Sequence, residues 1–310
     1  MASFSGWDGN GPAPASKVNF QKEISNMMHG FGDNPNPNAA TVLLVENIVL
    51  QQLCSMLQEA YNHSQLRGAK LIHNVDVIFL MRKNKLKLKR LHDYQLKLDA
   101  SESVLPGLNN LEDDKSLAFK SKRTHIDVIR ELDESNEIDY ISFDVIEYRR
   151  KIRAARLSEQ LPIDKYLLYH KARCTSFRSG FLPGWARNYS KLEMWINPNK
   201  EYKISHSAME IFSFLACETI GELIDAVFLI RQDVKRKPGD IVSKFEGGYF
   251  GNPFSVSNAV YIKSGYEGVA AITVAEIREV LRRQFPPRVG MNGIFTRNIS
   301  MDIPTRYIAI

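Results

Sequence analysis

The stretch Arg67-Gly68-Ala69-Lys70-Leu71-Ile72-His73-Asn74-Val75-Asp76-Val77-Ile78-Phe79-Leu80-Met81-Arg82-Lys83 decides the fold. Arg67-Gly68 breaks whatever helix precedes it, and Lys70-Leu71-Ile72 reads as a brief extended segment. Asn74 fits an N-cap, because its side-chain oxygen can accept from the unsatisfied N–H groups of a first helical turn. Val75, Ile78, Phe79 and Arg82 then continue at helical spacing.

Upstream, residues 37–66 contain no internal Gly or Pro. Val42, Leu43, Leu44, Val45, Ile48, Val49, Leu53, Met56, Leu57, Ala60 and Tyr61 cover more than one narrow stripe, so this long helix must be covered from two sides. Asn36 is its expected cap, with Pro37 at the first helical position. Further back, Phe20, Ile24, Met27 and Met28 fall at i, i+4, i+7 and i+8, one face of a short helix ended by Gly30 and Gly32. The order is short helix, loop, long helix, extended loop, short helix.

The same order returns downstream. A long helix spans about residues 204–234, with Met209, Ile211, Phe212, Phe214, Leu215, Ile220, Leu223, Ile224, Val227, Phe228 and Ile230 as apolar positions. His206, Glu210, Glu218, Glu222 and Asp225 within it argue against a membrane span. Ala270-Ala271-Ile272 is extended, and Thr273-Val274-Ala275-Glu276 has the spacing of a capping box. Ile277, Val280 and Leu281 complete a short helix, stopped by Pro286-Pro287. A fixed order of breakers and apolar periods, used twice, marks a structural repeat.

Between the units, residues 81–97 carry Arg82, Lys83, Lys85, Lys87, Lys89, Arg90 and Lys97 against Asp93 alone, with Leu86, Leu88, Leu91 and Tyr94 as an apolar side. This reads as an extra amphipathic helix, either a solvated face or a phosphate-contacting one. Residues 99–140 turn acidic and read as a partly disordered linker. Residues 147–160 read as a solvated helix. The expected division is a flexible tail (1–17), a first unit with its basic helix (18–98), a linker (99–160), a second unit (161–290) with a loop insertion at about 236–269, and a C-terminal tail (291–310).

The 310 residues are 44% hydrophobic and 25% charged, ordinary globular composition that excludes wholesale disorder. Lys and Arg number 41 against 35 Asp and Glu, so the +6 balance matters less than its distribution. Cys54, Cys174 and Cys217 form no C-x-x-C pair, and Cys54 and Cys217 read as small core residues. The seven histidines include no H-E-x-x-H pair. His170 and Cys174 share a helix face, but two ligands do not make a zinc site. Gly247-Gly248-Tyr249-Phe250-Gly251 lies in the insertion, not between a strand and a helix, and no phosphate-loop motif is present. No residues argue for an enzyme, a metal or a cofactor.

The quoted stretch resembles the loop and third helix of the histone fold, in which a briefly extended basic loop leads to a helix opening hydrophobic-Asp-hydrophobic. Asp76 stands where that fold places an acid paired with a loop cation, here Arg67 or Lys70. Met27-Met28, Leu44-Val45-Glu46, Ser64-Gln65-Leu66-Arg67-Gly68-Ala69, Phe79-Leu80-Met81-Arg82-Lys83, Ala208-Met209-Glu210-Ile211, Leu229-Ile230-Arg231-Gln232-Asp233 and Ile277-Arg278-Glu279 together resemble the family of suppressor-of-Ty subunits of the SAGA coactivator, the third of that series. The resemblance covers about residues 20–97 and 165–285.

It implies an all-α chain whose two histone folds pair with each other. It also implies a nuclear, non-enzymatic coactivator subunit that binds the TATA-binding protein and meets other histone-fold and scaffold subunits, with no membrane contact and only weak or indirect DNA contact. Glu210, Glu218 and Glu222 on the second long helix are then the candidate docking acids for a basic partner. The loops at 70–72 and 270–272 are each expected to pair with the other unit's first loop in a short parallel bridge. A DNA-compacting doublet using the basic run and a purely structural scaffold subunit are the alternatives. Tethering makes the pairing intramolecular, at roughly millimolar effective concentration for a short flexible linker and less for a longer one.

Overall fold

The computed structural model describes residues 18–103, 125–178, 188–235, 270–285 and 307–310. The expected N-terminal tail, residues 104–124 of the linker, residues 179–187, the insertion and residues 286–306 lie outside the described residues.

The first unit comprises α1 (Gln21–Phe31), α2 (Ala39–Leu66) and α3 (Asn74–Leu80). Phe20, Ile24, Met27 and Met28 are buried as the spacing requires. Gly30 does not end α1; it sits inside the helix, where a Cβ would lie 3.0 Å from the Ala172 carbonyl oxygen. Gly32 is the terminator, in the left-handed region at φ +116°. Asn38, not Asn36, caps α2, its side chain accepting from Ala40 N–H at 2.9 Å. Asn74 is likewise the first residue of α3 rather than its cap. His73 takes the cap position, and its N–H donates to Asp76 Oδ2 at 2.9 Å.

The second unit comprises α9 (Ser190–Ile196), α10 (His206–Lys235) and α11 (Val274–Gln284). The Thr273 capping box forms as spaced: its hydroxyl accepts from Glu276 N–H at 3.3 Å while Glu276 Oε2 accepts from Thr273 N–H at 2.8 Å. Between the units run α4 (Lys85–Ser103), α5 (His125–Leu132), α6 (Glu137–Tyr140), α7 (Val145–Gln160) and α8 (Ile163–Arg173). Three of these, α5, α6 and α7, lie in residues 99–160, the stretch read as a linker. Val128, Ile129 and Ile138 are buried there, so this part of the connection is packed helix. Nor is α7 simply solvated, since Arg153 is only 7% exposed.

The two long helices cross and bury each other. Val45, Ile48, Val49, Leu53 and Met56 of α2 share one core with Ile211, Phe212, Leu215, Ile220 and Leu223 of α10. By length and composition α2 could cross a membrane, but the second unit covers it. Each short helix also reaches the other unit's long helix: α3 packs on α10, and α9 and α11 pack on α2. Neither unit is closed alone, so the burial of one core stabilises both.

The loops join the units in two ways. Ile72 and Ile204 form a parallel bridge, in which Ile72 N–H donates to the Lys203 carbonyl and Ser205 N–H to the Ile72 carbonyl, both at 2.9 Å. The second junction is no such bridge among the described residues. Side chains replace the backbone: Ile272 N–H donates to Asp33 Oδ1 at 2.9 Å, and Thr41 Oγ1 donates to the Ile272 carbonyl at 2.8 Å. The C-terminus also departs from the expected tail. Ile308 and Ala309 are buried, and Ile308 N–H donates to Gln52 Oε1 of α2 at 2.9 Å.

Candidate functional site

The first ion pair read from sequence stands at the end of the Ile72 loop. Arg67 Nη2 lies 2.7 Å from Asp76 Oδ2, and Arg67 Nε donates to Oδ1 at 3.1 Å. His63 Nδ1 adds a contact to Oδ1 at 2.9 Å. Asp76 is fully buried; burial would raise its carboxyl, but hydrogen bonds from Arg67, the His73 backbone and His63 outweigh it and hold the group below the usual range. The pair locks the loop onto α3 and so presents Ile72 to the other unit.

The three candidate docking acids are engaged within the chain. Glu210, 7% exposed, lies with Oε2 3.3 Å from His125 Nε2, while His125 Nδ1 sits 3.1 Å from Asn74 Nδ2. His125 thereby ties α5 to both units. Glu218 takes Arg150 Nη1 at 2.9 Å and Arg90 Nη1 at 3.1 Å. Glu222 takes Arg90 Nη1 at 2.8 Å and also pairs with Lys87. Asp225 takes Arg150 Nε at 2.6 Å and Arg153 Nη2 at 2.5 Å, and Asp144 pairs with Arg90.

Four cations, Lys87, Arg90, Arg150 and Arg153, thus face four anions, Asp144, Glu218, Glu222 and Asp225, where α4 and α7 cross α10. Burial alone would drive Arg90 and Arg150 toward their neutral forms; the surrounding carboxylates more than reverse this and hold both cations firmly charged. Burial also works against Glu218 ionising, and Arg150, Lys87 and Arg90 bring its carboxyl below the usual range. Removing one member of such a set leaves an uncompensated buried charge.

The basic run is therefore largely spent on the chain itself. Besides Lys87 and Arg90, Lys85 pairs with Asp133 at 2.7 Å and Lys97 with Glu147 at 3.5 Å. Sequence reasoning placed its cations and the acids of α10 at separate tasks; the structure makes them each other's partners. It missed Asp144, Arg150, Arg153 and Asp225. A usable signal was present: Glu218, Glu222 and Asp225 fall at i, i+4 and i+7 inside an apolar helix, while Lys87/Arg90 and Arg150/Arg153 are spaced i, i+3.

The remaining candidates are unremarkable. Cys54 is exposed rather than a core residue, and Cys217 is half-buried, its Sγ 3.8 Å from Met27 Sδ. Cys174 Sγ lies 3.9 Å from the His170 ring, and among the described residues no three His, Cys, Asp or Glu are grouped to hold a metal ion.

Two three-helix units, each closing the other's core and joined at the loop before the third helix, define a pair of histone folds in a single chain. Residues 18–103 match the family described as Transcription initiation factor IID, 18kD subunit. The chain is 27% identical to SAGA complex subunit Spt3 of Drosophila melanogaster, across 94% of this chain and 74% of that protein. It is 25% identical to SAGA complex subunit SPT3 of Saccharomyces cerevisiae, across 70% of this chain and 74% of that one. Over 79 residues it is 39% identical to Transcription initiation factor TFIID subunit 13 of Arabidopsis thaliana, across 26% of this chain and 61% of the plant protein. The chain is thus similar to subunits of transcription complexes, and to Spt3 over nearly its whole length.

Proposed function

We propose that the chain is a non-enzymatic subunit of a SAGA-type coactivator that works in the nucleus, binds the TATA-binding protein and helps deliver it to promoters. The observation that carries this reading is the similarity to Spt3 subunits across both units and the connection between them. The physics is compatible with it. Two folds that satisfy each other's cores need no histone partner from outside, and their outer surfaces are left for other subunits. Further histone-fold and scaffold subunits of such a complex are the other partners in this reading.

Glu210, Glu218 and Glu222 serve docking in this reading chiefly by holding α4, α5 and α7 in place, because direct contact through them would first break the pairs described above. DNA contact is weak or indirect, since Lys85, Lys87, Arg90 and Lys97 already have carboxylate partners.

The test is retention of purified TATA-binding protein on the immobilised full chain, with and without promoter duplex. Retention without DNA is expected. No retention under either condition rejects the docking function. Tight binding of duplex alone, falling steeply as salt rises, would favour the DNA-compacting alternative instead.

A further inference from the structure

Residues 131–148 form a strap across α4. Its inner side is fixed by Asp133 on Lys85, Asp144 on Arg90 and Glu147 on Lys97, so the strap runs beside α4 in the same direction. Asp133 is also built into the strap's own turn, its Oδ2 accepting from Ile138 N–H at 2.8 Å, and Ile138 is buried beneath.

Among the described residues the outer side has no apolar cover. Tyr140 is 83% exposed, Phe143 58% and Tyr148 50%, with the Phe143 and Tyr148 rings 5.1 Å apart. Val145 lies between them, 46% exposed. Clustered exposed rings mark an interaction surface, and Tyr and other aromatics are the residues that anchor interfaces. Because internal ion pairs already order the strap, a partner would not have to spend binding energy on ordering it.

The charge of that partner follows from the strap's composition. From Glu131 to Tyr148 there are seven acids and no Lys or Arg, in a chain whose overall balance is +6. Asp133, Asp144 and Glu147 are consumed by α4, but Glu134, Glu137 and Asp139 are exposed around the rings. Among the described residues Glu137 accepts only from the Ser135 hydroxyl, at 3.0 Å. Exposed rings with exposed carboxylates nearby in sequence suit lysine and arginine twice over, through Coulomb attraction and through stacking of cations on aromatic faces.

We infer that the outer face of this strap docks a lysine- and arginine-rich surface of a partner protein, with Tyr140, Phe143 and Tyr148 as anchors and Glu134, Glu137 and Asp139 as the rim. This rests on the reading above only in taking the chain to be an assembly subunit.

The experiment places the photo-crosslinking residue benzoylphenylalanine at position 140 or 143 of the full chain in the assembled complex, with position 66 as an exposed control (Leu66 is 88% exposed). Both strap positions are expected to join the same protein, at a segment where Lys and Arg outnumber Asp and Glu. The yield should fall about tenfold when Glu134, Glu137 and Asp139 are all changed to Lys, or when Phe143→Ala is combined with Tyr148→Ala in the chain labelled at 140. The altered side chains are all on the outer side, so unchanged thermal unfolding confirms that the variants fold. No adduct beyond the control overturns the inference, as does an adduct to an acidic segment, to nucleic acid or to this chain's own residues. An adduct to a basic segment of any one partner supports it, whether or not that partner is the TATA-binding protein, so its failure and that of the docking function are read separately.

Discussion

Arg90 Nη1 donates to Glu218 Oε2 at 3.1 Å, joining the helix that carries the basic run to the long helix of the second fold. Read separately, the first residue suggested phosphate and the second a basic partner. Joined, they fasten the connection between the folds to the fold that follows it. Arg90 is 6% and Glu218 12% exposed, so neither charge is well solvated.

Breaking this contact from one side should therefore be costly. Arg90→Met leaves Asp144, Glu218 and Glu222 short of a cation, and a loss of about 3–5 kcal/mol is expected in denaturant unfolding. The double change Arg90→Met with Glu218→Met should recover part of that loss, because the orphaned charge goes too. A single-variant loss under about 1 kcal/mol would mean the pair behaves as a solvated surface bridge.

Gly221 lies in the middle of α10, where alanine would ordinarily favour the helix. A Cβ there would meet Arg150 Nη2 at 2.7 Å and the Phe31 ring at 3.0 Å. Arg150 cannot swing away cheaply, since Glu218 and Asp225 hold it. Gly221→Ala is expected to destabilise by about 1–3 kcal/mol despite its better helix propensity, measured as a lowered melting temperature. An unchanged or raised melting temperature would show that Arg150 is loosely held.

Two buried carboxylates should respond to pH with opposite signs. Asp76 is held below the usual range, so the stability it contributes is present above its ordinary value of 3.8 and is lost as pH falls through its lower folded value. Asp33 is raised, first by burial and against the Asn34 and Ile272 N–H groups it accepts from, so its contribution is present below 3.8 and is lost as pH rises through its higher folded value. Asp33→Asn keeps an acceptor for Ile272 and removes the charge. Its stability relative to wild type should therefore increase between about pH 3 and pH 7, while that of Asp76→Asn should decrease. Parallel curves for wild type and both variants across that range would contradict these assignments.

Much of the fold is legible in local pattern. Gly32, the Thr273 capping box and the apolar periods of α2 and α10 are set by chain-local chemistry and fall where the spacing puts them. What was misread depends on contacts far apart in sequence. Gly30 looks like a terminator until the Ala172 carbonyl is seen against it. Ala270-Ala271-Ile272 looks like a bridge strand until Asp33 and Thr41 are seen to satisfy Ile272 themselves. Residues 125–140 look like linker because the apolar positions that become buried, Val128, Ile129 and Ile138, are too short a pattern to declare a buried face. Glu210, Glu218 and Glu222 read as docking acids for a basic partner, but an acidic residue in an apolar helix says only that it has a partner. Whether that partner is another protein or Arg90 and Arg150 depends on where α4 and α7 come to lie.

That the two folds clasp each other within one polypeptide is tested most directly by zero-length carbodiimide coupling in a dilute mixture of isotopically light and heavy chains. Lys191 of α9 pairs with Glu23 of α1, and Lys87 of α4 with Glu222 of α10, so each pair is close enough to form an amide. Both amides are expected in the monomer fraction, light joined to light and heavy to heavy. Mixed light–heavy products at these positions, or their absence from monomer, would contradict the intramolecular pair.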